Sequence, residues 1–183
     1  MDAQFYRDLR APFLTVPVAA VTLAATNKAL YANANTPAMG KDYWWAGKTI
    51  TVRVFGQITT GITPGNLSLS VFYGSGVDAT GTNLGSSAAL TLIASQTNIS
   101  WWATFTVRCI SIGATGTLFM TGKAEFGTAV IAAGQALIPA SAPAVSGSCD
   151  LTAASNVITL QAARTGSTGE TMQVVDLQVE ALN

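Results

Sequence analysis

The stretch TNISWWATFTVRCISIGATGTLFMTGKAEFG, residues 97–127, indicates the fold more clearly than any other part of the chain. Apolar and polar side chains alternate along its first half, which is the two-residue period of a half-buried β-strand. The turn GATG follows at Gly113–Gly116, and TLFMTGKAEF then returns as a partner strand. We therefore predict an antiparallel hairpin. Its first strand should bury Ala103, Phe105, Val107 and Cys109 and turn Thr104, Thr106 and Arg108 outward.

The same alternation recurs along most of the chain, in KTITVRVFGQITT, in NLSLSVFYG and in two late segments, NVITLQAAR and TMQVVDLQVEAL. We predict that the two late segments pair with each other. Apolar residues nowhere keep a helical period for three turns, so helix should be scarce. The sequence therefore predicts an all-β antiparallel sandwich, or jelly roll, of about eight to ten strands. The predicted shared core is Ile50, Val52, Val54, Leu67, Leu69, Phe105, Val107, Leu160, Val175 and Leu177.

The N-terminal segment differs from the rest because residues 11–27 carry no charge. Pro12 and Pro17 interrupt this apolar run, and the preceding leader contains two aspartates, which argues against a signal peptide. The run is also too short to span a membrane. We predict that residues 1–26 form an N-terminal arm with a first strand at Val18–Ala24, and that residues 27–183 form a single β-sandwich domain.

Charge is the strongest compositional signal. Only 10% of the residues are charged, against about 25% in typical soluble proteins. Nine basic residues balance nine acidic ones and are scattered singly, which disfavours nucleic acid or an anionic membrane as a partner. A chain with so few charges is expected to cover much of its surface against other copies or another protein.

The sequence offers little catalytic chemistry. It has no histidine, which removes the usual general base and the commonest metal ligand. GKT at Gly47–Thr49 lacks the glycine of a phosphate-binding loop, and GSGVDA at Gly74–Ala79 is followed by glycines rather than a helix. Cys109 and Cys149 are expected to be small buried residues. We therefore predict no catalytic residue, no cofactor and no metal site.

The remaining polar and aromatic residues have structural and functional interpretations. Asp176 and Glu180 are expected to pair with Arg53 or Arg108 on neighbouring strands rather than to act as a catalytic pair. The tryptophans form two doublets, Trp44–Trp45 and Trp101–Trp102. Adjacent residues of a strand face opposite ways, so one ring of each doublet should point outward. Such a ring could stack on carbohydrate, dock a partner or be covered by a neighbouring subunit or the arm.

The order of several motifs resembles a family of structural proteins of tailed-bacteriophage and prophage virions. These motifs are GKTITVRVFGQITT, TPGNLSLSVFYGSG, SSAALTL, NISWWATFTVRCISIGATGTLFMTGKAEFG, CDLTAASNVITLQAARTG and the terminal VEALN, and together they cover most of residues 47–183. The resemblance implies a jelly-roll sandwich that oligomerises, commonly as a trimer, in capsid decoration or in a tail or fibre. It implies no catalytic residue.

From these observations we expect a non-enzymatic virion protein on the capsid surface, a homotrimer that cements the shell by contacting the major capsid protein. The alternative is a tail or fibre domain that contacts tail proteins or binds host-surface glycans. The candidate partner-contact residues are Phe5, Tyr6, Phe13, Leu14, Trp44 and Trp102.

Overall fold

The computed structural model describes residues 17–40, 42–141, 145–166 and 169–182. Within these ranges the chain is a β-sandwich of two antiparallel sheets, as predicted, and its one helical segment is a 3₁₀ turn at Asn33–Asn35. Sheet A contains, in spatial order, β1 (Val21–Thr22), β11 (Thr171–Leu182), β3 (Thr49–Thr59), β7 (Ile99–Ser111), β8 (Thr117–Phe126) and β9 (Gln135–Ile138). Sheet B contains β2 (Lys28–Ala29), β10 (Val157–Arg164), β4 (Asn66–Gly74) and β5 (Thr82–Ser86), with β6 (Leu90–Thr91) paired to β4.

The predicted hairpin forms the centre of sheet A. β7 and β8 pair from Trp101 opposite Phe126 to Cys109 opposite Leu118, and β3 lies on the other side of β7. The alternation is confirmed, because Ala103 and the other predicted inward residues of β7 are buried while Arg108 is exposed. Cys109 and Cys149 are both buried and free, and burial raises the pKa of both thiols.

All but one of the predicted core residues are buried, and the exception is Val175, which is 41% exposed. A β-bulge shifts the register of β11 against β3 between Val174 and Asp176. Because a bulge places two residues opposite one, Val174 takes the inward position and the alternation resumes at Leu177. The prediction counted a strict period of two through the bulge and was wrong at this residue.

The predicted pairing of the two late segments is also wrong. β10 pairs with β4 and β2 in sheet B, whereas β11 pairs with β3 and β1 in sheet A, so the chain crosses between the sheets. β10 is buried on both faces, since Gln161 on its outer side is covered by the loop after β4. The Gln161 side chain accepts from the Ala79 amide at 2.9 Å and donates to the Val77 carbonyl at 3.2 Å. Turn residues alone do not specify whether a chain stays in one sheet or crosses to the other.

The described residues of the predicted arm, 17–26, lie along the sandwich, and the strand there is shorter than predicted. Val21 pairs with Met172 of β11, and Leu23 is buried in the core. A buried ion pair fastens this segment, because Arg164 Nε lies 3.1 Å from Glu170 Oε2 and also donates to the Leu23 carbonyl at 2.8 Å. The chain from Pro17 onward is therefore part of the folded domain.

Gly56 provides a test of the packing between β3 and its neighbours. A Cβ at this position would collide with the Gln173 carbonyl oxygen and lie 2.9 Å from the Trp101 ring. We expect Gly56→Ala to lower the free energy of unfolding by about 3 kcal/mol through overpacking. Gly147, where an added Cβ has nothing within 4 Å, is the matched control, and Gly147→Ala should change stability by less than about 0.5 kcal/mol. Urea unfolding followed by tryptophan fluorescence measures both, and equal midpoints would contradict the prediction.

Candidate interaction surface

The outward side chains of β11, β3, β7, β8 and β9 form a broad surface, which we call the outer face of sheet A. Residues that are opposite one another in the ladders align as rows across the five strands. The first row contains Asp176, Phe55, Trp102, Glu125 and Gln135, the second Gln178, Arg53, Thr104, Lys123 and Leu137, and the third Glu180, Thr51, Thr106 and Thr121.

Apolar side chains occupy adjoining rows of this face. Phe55 and Trp102 lie opposite each other on β3 and β7, and both are half-buried. The bulge in β11 adds the exposed Val175 beside the Asp176–Phe55 pair. On β9, Leu137 is 69% exposed and lies opposite Lys123. Exposed apolar residues that are grouped in this way are typical of a contact surface.

The charges of the outer face are largely neutralised within it. Arg53 Nη1 lies 3.7 Å from Glu180 Oε2, which confirms the predicted arginine partner for that carboxylate. Lys123 Nζ lies 2.6 Å from Glu125 Oε1 and 5.1 Å from the centroid of the Trp102 ring. These exposed pairs add little stability, but they leave the face without a strong field of one sign that would repel a second copy.

Threonine hydroxyls and glutamine amides contribute much of the remaining polar surface of the face. Thr51 Oγ1 and Thr106 Oγ1 lie 3.3 Å apart across β3 and β7. Asp176, for which an arginine partner was also predicted, instead accepts a hydrogen bond from Gln178 Nε2 at 2.8 Å. Hydroxyl and amide groups can exchange hydrogen bonds with a partner surface at a smaller desolvation cost than free charges.

The predicted contact residues divide into three groups. Phe5, Tyr6, Phe13 and Leu14 lie outside the described residues. Trp102 lies on the outer face, as expected of the outward member of its doublet, because Trp101 is buried. Trp44 was expected to be exposed and is instead 7% exposed, with Nε1 donating to the Met39 carbonyl at 2.9 Å and to the Tyr73 hydroxyl at 3.1 Å.

In the first doublet the outward ring is Trp45, which is 38% exposed. Each doublet therefore has one inward and one outward ring, as predicted, but the choice of Trp44 was wrong. This segment precedes β3 and consists of turns, in which Asp42 has φ 67° and Gly47 has φ 93°. Strand alternation does not decide which ring is buried in such a turn.

Lys48, which the sequence analysis did not single out, lies beside Trp45. Its Nζ is 3.5 Å from the centroid of the Tyr43 ring and 4.2 Å from that of Trp45, and it donates to the Tyr43 carbonyl at 2.8 Å. Burial lowers the pKa of the Lys48 amine to about 8 and raises the pKa of Tyr43 to about 12. The local signal for this cluster is the spacing YWWAGK, which places Lys48 after Tyr43 and Trp45 across a glycine turn.

The described residues also line two cavities away from the outer face. A groove of about 630 Å³ lies between β5 and the segment after β9, and the described residues that line it are uncharged, including Ser86, Ser87 and Ser146. A smaller cavity of about 250 Å³ contains Asp150, Tyr73 and Asn156. Among the described residues no three histidine, cysteine or acidic side chains are grouped so that they could hold a metal ion.

Comparison with known proteins does not assign the chain to a family. No family model, no curated protein and no solved structure matches it. In the part of the chain that the structure describes, no helix has the length and apolar character needed to cross a membrane.

Lys48 should give the stability of the protein a defined pH dependence. Its pKa is about 8 in the folded protein and about 10.4 in an unfolded chain. Between these pH values the unfolded state binds more protons than the folded state. The contribution of Lys48 to the free energy of unfolding therefore increases as the pH rises from about 8 to about 10.4. We expect the native protein to gain stability relative to Lys48→Met across this window and the difference to stay constant below it. Urea unfolding of both proteins at about pH 7 and about pH 10 measures this, and a flat difference would contradict it.

Proposed function

We propose that this protein is a non-catalytic structural component of a bacteriophage virion, which self-associates as a homotrimer and decorates or cements the capsid. The outer face of sheet A is the observation that carries the proposal. It is broad and contains Trp102, Phe55, Val175 and Leu137 in adjoining rows. Its charged side chains are largely paired with one another.

The size of the outer face supports self-association. Its five strands span about 20 Å at about 4.8 Å per strand, and the outward residues from Thr49 to Gln57 of β3 span about 26 Å at about 3.3 Å per residue. Covering this footprint of about 500 Å² on each of two copies removes about 1,000 Å² in total, which is the lower limit for a specific interface. The area supports self-association, and the trimeric state comes from the resemblance to phage virion proteins. The low charge of the chain supports the same proposal, because a face covered by another copy needs few charges to stay soluble.

The proposed capsid role is based on the resemblance of the motif order to that of phage virion proteins. A protein that binds the assembled shell and not its dissociated subunits raises the free energy needed to open the shell. In a trimer, three linked contacts act at high effective concentration, so modest individual contacts give slow dissociation. The proposed capsid contacts are the arm residues Phe5 and Tyr6 and the apolar pair Phe13 and Leu14.

A second candidate function is binding of host-surface glycans by a tail or fibre domain. The observation in its favour is the partly exposed ring of Trp45, which forms a stacking surface beside the Lys48 amine. This corner lies before the first residue of β3 and outside the rows of the outer face.

Self-association through the outer face is tested with two matched substitutions. Leu137→Asp places an unpaired carboxylate in the proposed interface, and we expect the trimer to dissociate at micromolar concentration because the charge would have to be desolvated. Val77→Asp is the control, because Val77 is 55% exposed and lies in the loop that covers sheet B. Light scattering coupled to size-exclusion chromatography gives the mass of each. If native protein and both variants were stable monomers, self-association would be ruled out.

The capsid role is tested by co-sedimentation with bare capsids of the phage that encodes the chain, followed by heating of the particles. We expect the full-length protein to sediment with capsids and to raise their disruption temperature. A variant lacking residues 2–16 should stay trimeric, since Leu23 and the Arg164–Glu170 pair remain, but it should lose most capsid binding. If the intact protein bound host glycans and not capsids, and Trp45→Ala removed that binding, the glycan function would replace the capsid function.

A further inference from the structure

The turn at residues 45–48 is fastened to the end of β7. Its own closure is the bond from the Lys48 amide to the Trp45 carbonyl at 3.0 Å. The Gly47 amide donates to the Cys109 carbonyl at 2.8 Å, and the Cys109 amide donates to the Lys48 carbonyl at 2.8 Å. The exposed ring of Trp45 therefore lies on a turn that is held beside the last residues of β7.

The guanidinium of Arg108 lies against this turn. Arg108 is exposed on the outer side of β7, opposite Thr49, the first residue of β3. A Cβ at Gly47 would lie 3.9 Å from Arg108 Nη2, so the guanidinium extends past the start of β3 to the turn backbone. Gly47 has φ 93°, a conformation that glycine adopts at little cost, and its lack of a side chain leaves room for the guanidinium.

The Trp45 ring has a positive charge behind it as well as beside it. Lys48 Nζ lies over the ring at 4.2 Å from its centroid and so occupies one of its two faces. The exposed part of the ring, which is 38% of the residue, therefore belongs to the other face and the edges. The Lys48 amine has a pKa of about 8 and is mostly protonated at neutral pH.

The two cations of this corner are not neutralised by the described part of the chain. Arg53 and Arg164 form ion pairs with carboxylates, whereas Arg108 and Lys48 form none with any described residue. The nearest carboxylate along the chain is that of Asp42, which is exposed and is not paired with either cation. The corner is therefore a local positive site on a chain whose net charge is zero.

The chemistry of these groups fits a sugar that carries an anionic substituent. The C–H face of a sugar ring stacks on an exposed indole, which offers apolar area at a wet surface. A guanidinium binds a carboxylate or phosphate through two parallel hydrogen bonds. A neutral sugar would use the ring alone, and an acidic peptide would use the guanidinium but has no flat C–H face for the ring.

We propose that Trp45 and Arg108 form a binding site for an anionic saccharide. The sugar ring stacks on the exposed face of Trp45, and its carboxylate or phosphate accepts hydrogen bonds from the Arg108 guanidinium. The Lys48 amine behind the indole adds long-range attraction for the anion. This inference rests on the second candidate function, glycan binding, and names its class of ligand. It does not depend on the trimer or on the capsid.

Titration of the full chain with matched sugars tests the ligand class. Methyl glucuronide and methyl glucoside differ in one carboxylate, and glucose 6-phosphate carries a phosphate instead. The indole N–H signals in NMR spectra of isotope-labelled protein report binding, and Trp45→Ala identifies the Trp45 signal. We expect the glucuronide to bind at least about ten-fold more tightly than the glucoside, because a charge-assisted pair is added. This difference should shrink as the salt concentration rises from about 0.05 M to about 0.5 M.

Substitution of the arginine tests its role. Arg108→Gln should lower the affinity for methyl glucuronide to that for methyl glucoside and leave the affinity for methyl glucoside unchanged. Arg108→Lys keeps the charge without the planar fork and should give an intermediate affinity. Arg53→Gln is the matched control, because it removes the same charge from the outer face at a residue that pairs with Glu180, and it should leave both affinities unchanged. Urea unfolding checks that each variant is folded.

The remaining outcomes separate this inference from glycan binding in general. If both methyl glycosides bound equally at Trp45, or if Arg108→Gln had no effect, the anionic class would be wrong and glycan binding would stand. If no sugar shifted the Trp45 signal, this inference and the second candidate function would both fail. If pentaglutamate bound as tightly as the glucuronide, the corner would be a docking site for acidic peptides and the proposal would be overturned. Binding of glucose 6-phosphate in place of the glucuronide would support the site and identify phosphate as its anion.

Discussion

The position of β3 between β7 and β11 is the constraint on which the rest of sheet A depends. β3 pairs with β7 from Thr49 to Ile58 and with β11 along its whole length. Because side chains alternate along a strand, these two ladders decide at once which residues enter the core and which form the outer face. A one-residue slip on either side would exchange Val54 and Phe55 between the core and the surface. One register therefore determines both the core residues and the outer-face residues of sheet A.

The β-bulge of β11 modifies this register at a single point and has several consequences. It keeps Val174 and Leu177 in the core although three positions separate them. It also turns Val175 outward, next to the aromatic pair of β3 and β7. Without the bulge, the segment after Val174 would present Leu177 and Val179 to solvent. The same irregularity thus preserves the core and enlarges the apolar part of the outer face.

The sequence predicted the features that depend on local pattern. The hairpin of β7 and β8, the turn at Gly113–Gly116 and nearly all of the core followed from alternation and turn chemistry. The partner of β10 did not, because turn residues are the same whether a chain stays in one sheet or crosses to the next. The exposed ring at Trp45 and the amine of Lys48 were missed for a related reason, since turn backbone rather than strand alternation orients them. Val175 was misplaced because the adjacent residues Val174 and Val175 fit either phase of the alternation, so the phase of Leu177 was extended back through Val175.

The two candidate functions would use separate surfaces, so one would not exclude the other. Trp45 precedes β3 and lies at one end of sheet A, whereas Trp102 lies within the rows of the outer face. Burial of the outer face between copies would therefore leave the Trp45 ring available. In an assembled trimer, each copy would carry one such ring. The ring is fixed to sheet A through Lys48, whose amine contacts the Trp45 and Tyr43 rings. The Lys48 carbonyl accepts a hydrogen bond from the Cys109 amide of β7 at 2.8 Å. Weak stacking contacts repeated in three copies gain strength through effective concentration in the same way as capsid contacts do. In this proposal, self-association would be the physical basis of both candidate functions, and the choice between them would depend on the partner and not on the fold.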